Sequence, residues 1–352
     1  MSVADAPKAP AKNAKLNRIG LDLKAYQGAE STLCAGCGHD AITSSIIKAF
    51  YDSGIEPHRV AKMSGIGCSS KTTAYFLSES HGINSVHGRM SAVATGAMLA
   101  NRTMVNIGIS GDGDTASIGL GNFLHMVRRN VPIVYIIENN GCYGLTKGQF
   151  SATADKGSVK KGGLVNENLP IDCCALAIQM GCGFVARSFS GDVKQVRSLM
   201  RAAIAYRGTA LLDIVSPCVT FNNHEGSTKS LQYAKDNADP LHDVGFVPHF
   251  EQTLVDYDEG TTQIVKMPDG SNITLSKVDP HNYDPHNKMG ALELLDRARE
   301  ELLFHTGLIY YNDNIVPMDE QYRLVDEPLA GLSAAKTRPA PSVLDELMAK
   351  YK

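Results

Sequence analysis

Between Asp40 and Gly54 the apolar residues Ile42, Ile46, Ile47 and Phe50 recur at helical spacing, and Gly54 stands where a left-handed cap would close a helix. Residues 59–64 read as a short strand ending in the turn Gly65-Ile66-Gly67-Cys68, and Ser91 to Arg102 as a helix of small residues suited to close packing. Thr103 to Ser110 is short and apolar, Thr115 to Arg129 has helical spacing, and Val131 to Ile137 is a continuous apolar, β-branched run. This is the pattern of a βαβ unit. Its crossover is too long for a hairpin, so the two strands run parallel and their carboxyl ends share one edge.

The alternation continues with a helix at Ile171 to Met180, a strand near Phe184, a helix at Asp192 to Tyr206 and a strand at Ala210 to Val215. The expected fold is α/β, with a doubly wound, mostly parallel sheet. Beyond Asn223 the pattern weakens, and one strong helix is expected from Lys288 to His305. Three parts follow: a flexible N-terminal arm over 1–18, a main domain over 19–223, and a C-terminal extension over 224–352 that covers the core or contacts a partner.

Composition narrows the function classes. The 352 residues, 43% hydrophobic and 20% charged, suffice for a substantial core. A formal net charge of -3 leaves no basic surplus to neutralise a phosphate backbone, so nucleic acid is not expected as the main partner. The longest apolar run, Val131 to Ile137, is interrupted by Pro132 and too short for a bilayer, so no membrane span is expected. The first 18 residues lack the apolar segment of a secretory signal, and Asp5 argues against a transit peptide. Eight cysteines without such a signal read as thiols in a reducing compartment, which implies the cytoplasm. Cys173, Cys174 and Cys182 sit in or beside an apolar helix and read as small buried residues.

Candidate chemistry gathers at the carboxyl ends of the two βαβ strands, where open α/β sheets bind ligands. Gly111-Asp112-Gly113-Asp114 follows the first and Asn139-Asn140-Gly141 follows the second. A hard divalent cation takes oxygen ligands, and a carboxylate with an amide oxygen supplies two of them. Gly111 and Gly113 let backbone approach a phosphate, and the helix that follows directs free N–H groups at it. Gly-Asp-Gly, an interval of 25 residues and then Asn-Asn resembles the signature of thiamine-diphosphate enzymes. By that resemblance Asp112 and the side chain of Asn140 would bind magnesium, with the backbone carbonyl of Cys142 as a third ligand. Gly113, Asp114, Gly144 and Leu145 would line the diphosphate.

Cys34 and Cys37 form a C-x2-C pair, Cys68 ends the turn after residues 59–64, and Cys218 follows the strand end at Val215. From spacing alone, one zinc and an iron–sulfur cluster are equally open for four such thiolates. The neighbouring cofactor decides, because a cluster can remove electrons from substrate activated on thiamine diphosphate and zinc cannot.

Cys34-Ala35-Gly36-Cys37-Gly38-His39, Gly65-Ile66-Gly67-Cys68-Ser69, His87-Gly88-Arg89 and Gly-Asp-Gly-Asp together, over roughly residues 17–225, resemble the β subunit of the 2-oxoacid:ferredoxin oxidoreductases. The resemblance implies a diphosphate-binding half-domain in which Cys34, Cys37, Cys68 and Cys218 hold one [4Fe–4S] cluster. Ile66, Gly67, Cys68, Ser69 and His87 would contact the thiamine cofactor. His39 reads only as a helix-start residue. An α subunit would supply the pyrimidine-binding domain and its activating glutamate, in an αβ or (αβ)2 complex. Electrons would leave through a separate ferredoxin, since the sequence shows no second cysteine set resembling a bacterial ferredoxin run.

Lys71 and Lys147, within glycine-rich loops, are candidates for the substrate carboxylates. Leu145-Thr146-Lys147-Gly148 resembles the branch acting on 2-oxoglutarate or a broad set of 2-oxoacids, rather than the strict pyruvate branch; 2-oxoglutarate would give succinyl-CoA and carbon dioxide with coenzyme A, a reaction that can reverse as reductive carboxylation. Pyruvate or a broad range of 2-oxoacids, a non-redox thiamine decarboxylase subunit with structural zinc, and a non-catalytic cluster-binding protein are the competing readings.

Overall fold

The computed structural model describes residues 15–159, 163–216, 218–221, 257–266, 272–279, 282–301 and 304–351. Most of the expected arm, residues 1–14, and residues 222–256 lie outside that set.

Eleven strands are described: β1 Val60–Ser64, β2 His81–Asn84, β3 Val105–Gly111, β4 Ile133–Asn139, β5 Cys142–Tyr143, β6 Gln149–Phe150, β7 Phe184–Phe189, β8 Thr209–Val215, β9 Thr262–Lys266, β10 Asn272–Lys277 and β11 Phe304–Tyr311. Nine of them form one sheet in the order β2-β1-β3-β4-β8-β7-β11-β10-β9, and β5 with β6 makes a small hairpin. From β2 to β7 every pairing is parallel. This is the doubly wound arrangement that the alternating pattern predicts.

The helices that cover it are α1 Gly38–Ser53, α2 Ser69–Thr72, α3 Met90–Ala100, α4 Leu120–Arg128, α5 Cys173–Gln179 and α6 Val193–Ala205. Side chains alternate across a strand. Accordingly Ile133, Tyr135 and Ile137 of β4 join one core with Met98, Phe123 and Ile178. Val134 and Ile136 join the opposite core with Ile42, Ile46, Phe50 and Met200. Each fully buried aliphatic side chain contributes about 1.5–3 kcal/mol, so both faces anchor the sheet. Gly54 closes α1 at φ 56°, as its sequence position suggests. Cys173, Cys174 and Cys182 are buried, as read from sequence.

Two expectations are corrected. The helix expected over Thr115 to Arg129 is split: a π-helical turn spans Asp114–Ile118 and α4 follows only from Leu120. Such turns insert one extra residue and are frequent beside functional sites. The helix from Lys288 ends at Glu300, because Phe304–Tyr311 pairs as β11 instead of continuing the helical run to His305. Here sheet pairing overrides local periodicity.

The described part of the C-terminal extension does more than cover the core. β11 pairs antiparallel with β7 and parallel with β10, which carries antiparallel β9. The extension therefore lengthens the sheet at the edge away from β1. No helix among the described residues is long and apolar enough to cross a membrane.

Candidate functional site

Between β1 and β3 the chain turns to opposite faces of the sheet: α2, after β1, touches α1, while α4, after β3, touches α3. A crevice opens at such a switch point, outside the strands' carboxyl ends. A cavity of about 90 Å³ occupies it. Thirteen of the residues singled out from sequence line it: Ile66, Gly67, Cys68, Ser69, His87, Gly111, Asp112, Gly113, Asp114, Asn140, Cys142, Gly144 and Leu145.

Asp112 follows β3 directly and is 1% exposed. Its carboxylate accepts hydrogen bonds from the Asn140 backbone N–H at 3.3 Å, from Thr153 Oγ1 at 2.6 Å and from Ser151 Oγ. Burial pushes its pKa up, against these hydrogen bonds. A carboxylate so buried, with only neutral partners, suits a cation, which would offset the desolvation that no protein charge offsets here. The loop from Asn140 lies against it, with Cys142 N–H donating to Asn140 Oδ1 at 3.1 Å.

Asp114 works differently. Its buried carboxylate accepts from Gly88 N at 2.7 Å, Ile66 N at 3.3 Å and Ser110 Oγ at 2.7 Å, and it meets Nδ1 of His87. It thereby ties the loops after β1, β2 and β3 together. A carboxylate would repel a diphosphate, so any contact from residue 114 to that group would come from backbone. His87 is held edge-on to Tyr143, with ring centroids 6.2 Å apart.

Two glycines are required by close approach. A Cβ on Gly113 would stand 2.5 Å from the Tyr143 ring, whose hydroxyl donates to the Gly113 carbonyl at 3.0 Å. One on Gly144 would stand 3.3 Å from Cys68 Sγ and 3.7 Å from Cys218 Sγ. Gly113 keeps backbone open to the cavity, and Gly144 brings the cavity wall against the sulfurs. Ser69 Oγ is buried with no protein hydrogen-bond partner, on that same wall. An orphaned hydroxyl is costly, and a bound polar group would satisfy it. The cavity's chemistry thus fits a metal-bound diphosphate.

The four cysteines predicted as a set come to one place. Burial pushes the thiol pKa of Cys37 and of Cys68 up, and the nearby Cys218 pushes both further, with Cys34 also acting on Cys68. All eight cysteines are described, and no disulfide links them. Among the described residues, no group of three or more His, Cys, Asp and Glu side chains converges as a single-ion site.

Lys71 and Lys147 do not line the cavity. Lys71 Nζ donates to Thr32 O at 3.4 Å, and Lys147 is exposed. Conversely, His39, Glu138, Tyr143 and Thr146 line it without having been assigned to it from sequence. His39 is more than a helix-start residue: it is 2% exposed, and Nδ1 meets Ser216 Oγ at 2.7 Å. Burial holds its pKa down to about 4, so the ring is neutral at pH 7. Glu138, fully buried near the end of β4, has a carboxyl pKa pushed well up by burial. One signal for it was available: a charged residue ending a wholly apolar strand run.

The sequence pattern of the family described as thiamine pyrophosphate enzyme, C-terminal TPP binding domain, matches residues 65–214. A 2-oxoacid:ferredoxin oxidoreductase subunit beta from Sulfolobus sp is 42% identical over 191 residues, which are 54% of this chain and 63% of that protein. The match to that relative thus spans less than two thirds of its length. The 2-oxoglutarate synthase subunit KorB of Methanocaldococcus jannaschii is 33% identical over 213 residues, 58% of this chain and 77% of that protein. Among solved structures, a 2-oxoglutarate:ferredoxin oxidoreductase from Magnetococcus marinus, with 2-oxoglutarate, coenzyme A and succinyl-CoA bound, matches with a TM-score of 0.71. It is 27% identical, and the match covers 94% of this chain and 96% of that one. The shared fold and this level of identity lead to one conclusion: the chain belongs to the family of 2-oxoacid:ferredoxin oxidoreductase β subunits.

Proposed function

We propose that this chain is the thiamine-diphosphate-binding β subunit of an enzyme that oxidatively decarboxylates 2-oxoglutarate to succinyl-CoA and carbon dioxide. The observation that carries this reading is the position of Gly144, which lines the cavity and would bring a Cβ within 3.3 Å of Cys68 Sγ and 3.7 Å of Cys218 Sγ. The diphosphate crevice and the cysteine set share a wall.

In this reading Asp112, the Asn140 side chain and the Cys142 carbonyl hold magnesium, and Gly113, Gly144 and Leu145 border the diphosphate. Ile66, Gly67, Ser69 and His87 contact the rest of the cofactor, with His87 oriented by Asp114. Cys34, Cys37, Cys68 and Cys218 hold one [4Fe–4S] cluster. When bound, thiamine diphosphate would supply the nucleophilic carbon and electron sink for decarboxylation, and a cluster on the four cysteines would supply a one-electron acceptor on the way to a ferredoxin. Neutral His39 and buried Glu138 keep the wall between the two groups free of solvent. Lys71 and Lys147, two residues after Ser69 and one after Thr146, reach for the substrate carboxylates from the cavity's border.

An α subunit completes the site with the pyrimidine-binding domain, and the complex works in a reducing, cytoplasmic setting. The test is an anaerobic electron-paramagnetic-resonance spectrum of the purified αβ complex after addition of single 2-oxoacids with coenzyme A. The expected result is a reduced-cluster signal that grows with 2-oxoglutarate. A complex that holds iron and thiamine diphosphate, yet gives no signal with any 2-oxoacid, overturns the proposal.

A further inference from the structure

Four buried polar side chains form a line through the wall behind the cavity. Thr72 Oγ1 lies 3.0 Å from each carboxyl oxygen of Glu138. Glu138 Oε2 lies 3.6 Å from Nε2 of His39, whose Nδ1 meets Ser216 Oγ at 2.7 Å. None of the four is more than 2% exposed. Each also stands beside a loop of the proposed redox site: Thr72 is four residues after Cys68, His39 two after Cys37, Ser216 two before Cys218, and Glu138 two before Asn140. The start of α1 closes tightly on this line, since a Cβ on Gly38 would stand 2.6 Å from Ser216 Oγ.

We propose that Glu138 is a positioning residue whose carboxyl group, through Thr72 and through His39 and Ser216, locks the three cysteine loops and the Asn140 loop into one rigid unit. The physical case rests on where the polar groups are. A buried carboxyl group is tolerated only when its hydrogen bonds are made. Its direct neighbours are Thr72 at the end of α2 and His39 at the start of α1, and His39 in turn holds Ser216 beyond β8, so the line joins three separate segments through one carboxyl group. Strands β3, β4 and β8 fix the base of the unit, with Glu138 paired in register to Gly111 on one side and Ile214 on the other. Ser216 N–H also donates to Asn139 O at 2.7 Å, and the side-chain line adds the links from these two strand ends to α1 and α2.

The purpose assigned to the lock, holding a preformed cluster site beside the cofactor, rests on the function proposed above. The lock itself can be read without a cluster. In the full αβ complex stripped of iron anaerobically, alkylation rates of Cys34, Cys68 and Cys218 are measured by peptide mass spectrometry for wild type, Glu138→Gln, Glu138→Leu and Thr72→Val. Glu138→Gln keeps an acceptor for Thr72 and should stay within about twofold of wild type. Glu138→Leu, similar in volume, should speed all three thiols together, about tenfold or more. In the iron-loaded complex the Leu variant should also lose most of its iron and sulfide, and the Gln variant should not.

Thr72→Val guards against a Leu variant that fails to fold. A shared lock speeds Cys218 as well as Cys68, whereas local packing speeds Cys68 alone, and that outcome overturns the proposal. Wild-type alkylation rates in a folded Glu138→Leu complex overturn it too. If the wild-type complex binds no iron under any reconstitution, the cluster reading fails, while the alkylation comparison still decides whether the lock exists.

Discussion

Thr153 Oγ1 donates to Oδ2 of Asp112 at 2.6 Å, and the same hydroxyl lies 3.1 Å from Oδ1 of Asn139. Asn139 in turn donates to Asp213 Oδ1 at 3.0 Å, and Asp213 is paired with buried Arg187. The proposed magnesium ligand is thus fixed by a polar chain that runs back into the sheet. Side chains that orient a metal ligand typically govern metal affinity by roughly tenfold to hundredfold. Thr153→Val should therefore weaken magnesium-dependent binding of thiamine diphosphate to the αβ complex by that factor, and Asp112→Asn should abolish it. Calorimetric titration of the cofactor at several magnesium concentrations checks both. Unchanged affinity in Asp112→Asn would remove Asp112 from the metal site.

Gly113 supports a stability prediction with a built-in control. Its missing Cβ would stand 2.5 Å from the Tyr143 ring, so Gly113→Ala must displace the ring or the loop, at about 1–3 kcal/mol. In a Tyr143→Leu background the same change should cost less than half as much, because the obstructing ring is gone. Urea unfolding of the four proteins in a double-mutant cycle measures the coupling. Equal costs in both backgrounds would mean that the ring is not what excludes a side chain at residue 113.

What the sequence could reveal about this site followed from its locality. Gly111 to Asp114 and Asn139 to Cys142 are short segments whose meaning comes from the strands before them, and those strands are legible as apolar runs. Cys34, Cys37 and Cys68 are legible because thiols are rare and chemically distinct. Thr153 and Glu138 were not, since each acts through partners 41 and 66 residues away. Hydrogen bonds over that distance leave no periodic trace. The strand Phe304–Tyr311 is illegible for a related reason: its buried and half-buried positions neither alternate nor form one apolar run. Its state is set by pairing with β7 and β10, not by its own composition.

Lys62 gives a pH prediction whose sign can be worked out. It lies on β1, 7% exposed, and its ammonium donates to Phe76 O at 2.6 Å and Leu77 O at 2.9 Å. Burial lowers its pKa to about 8. Between that value and the ordinary lysine value the unfolded chain binds more protons than the native one, so this residue makes stability rise with pH across that window. Below pH 8 both states are protonated and the contribution is flat, at a cost of up to ~3 kcal/mol. Lys62→Met should remove this rise while losing two hydrogen bonds. The difference in unfolding free energy between wild type and variant should therefore shift in favour of wild type from pH 8 to pH 9.5, with groups common to both proteins cancelling in that difference. A difference independent of pH would show that Lys62 keeps its charge throughout.

Lys147 offers a substrate test that stability cannot mimic. It is exposed and adopts φ 76°, a left-handed conformation that costs a side-chain-bearing residue roughly 1–2 kcal/mol. The turn is closed by Lys147 N–H to Gly144 O at 3.1 Å and Gly148 N–H to Tyr143 O at 2.9 Å. Lys147→Gly relieves the backbone while deleting the cation, so the variant should be at least as stable as wild type within about 1 kcal/mol. If Lys147 meets a substrate carboxylate, losing a charged hydrogen bond should raise KM for 2-oxoglutarate roughly tenfold to hundredfold. Pyruvate, with one carboxylate fewer, should be affected less if that bond serves the distal carboxylate of 2-oxoglutarate. Steady-state kinetics of the complex with both acids, at matched iron and thiamine diphosphate content, separates these effects. An unchanged KM for 2-oxoglutarate in a fully loaded variant would leave the exposed ammonium as a solvated charge and move the search for the carboxylate partner to Lys71 or the α subunit.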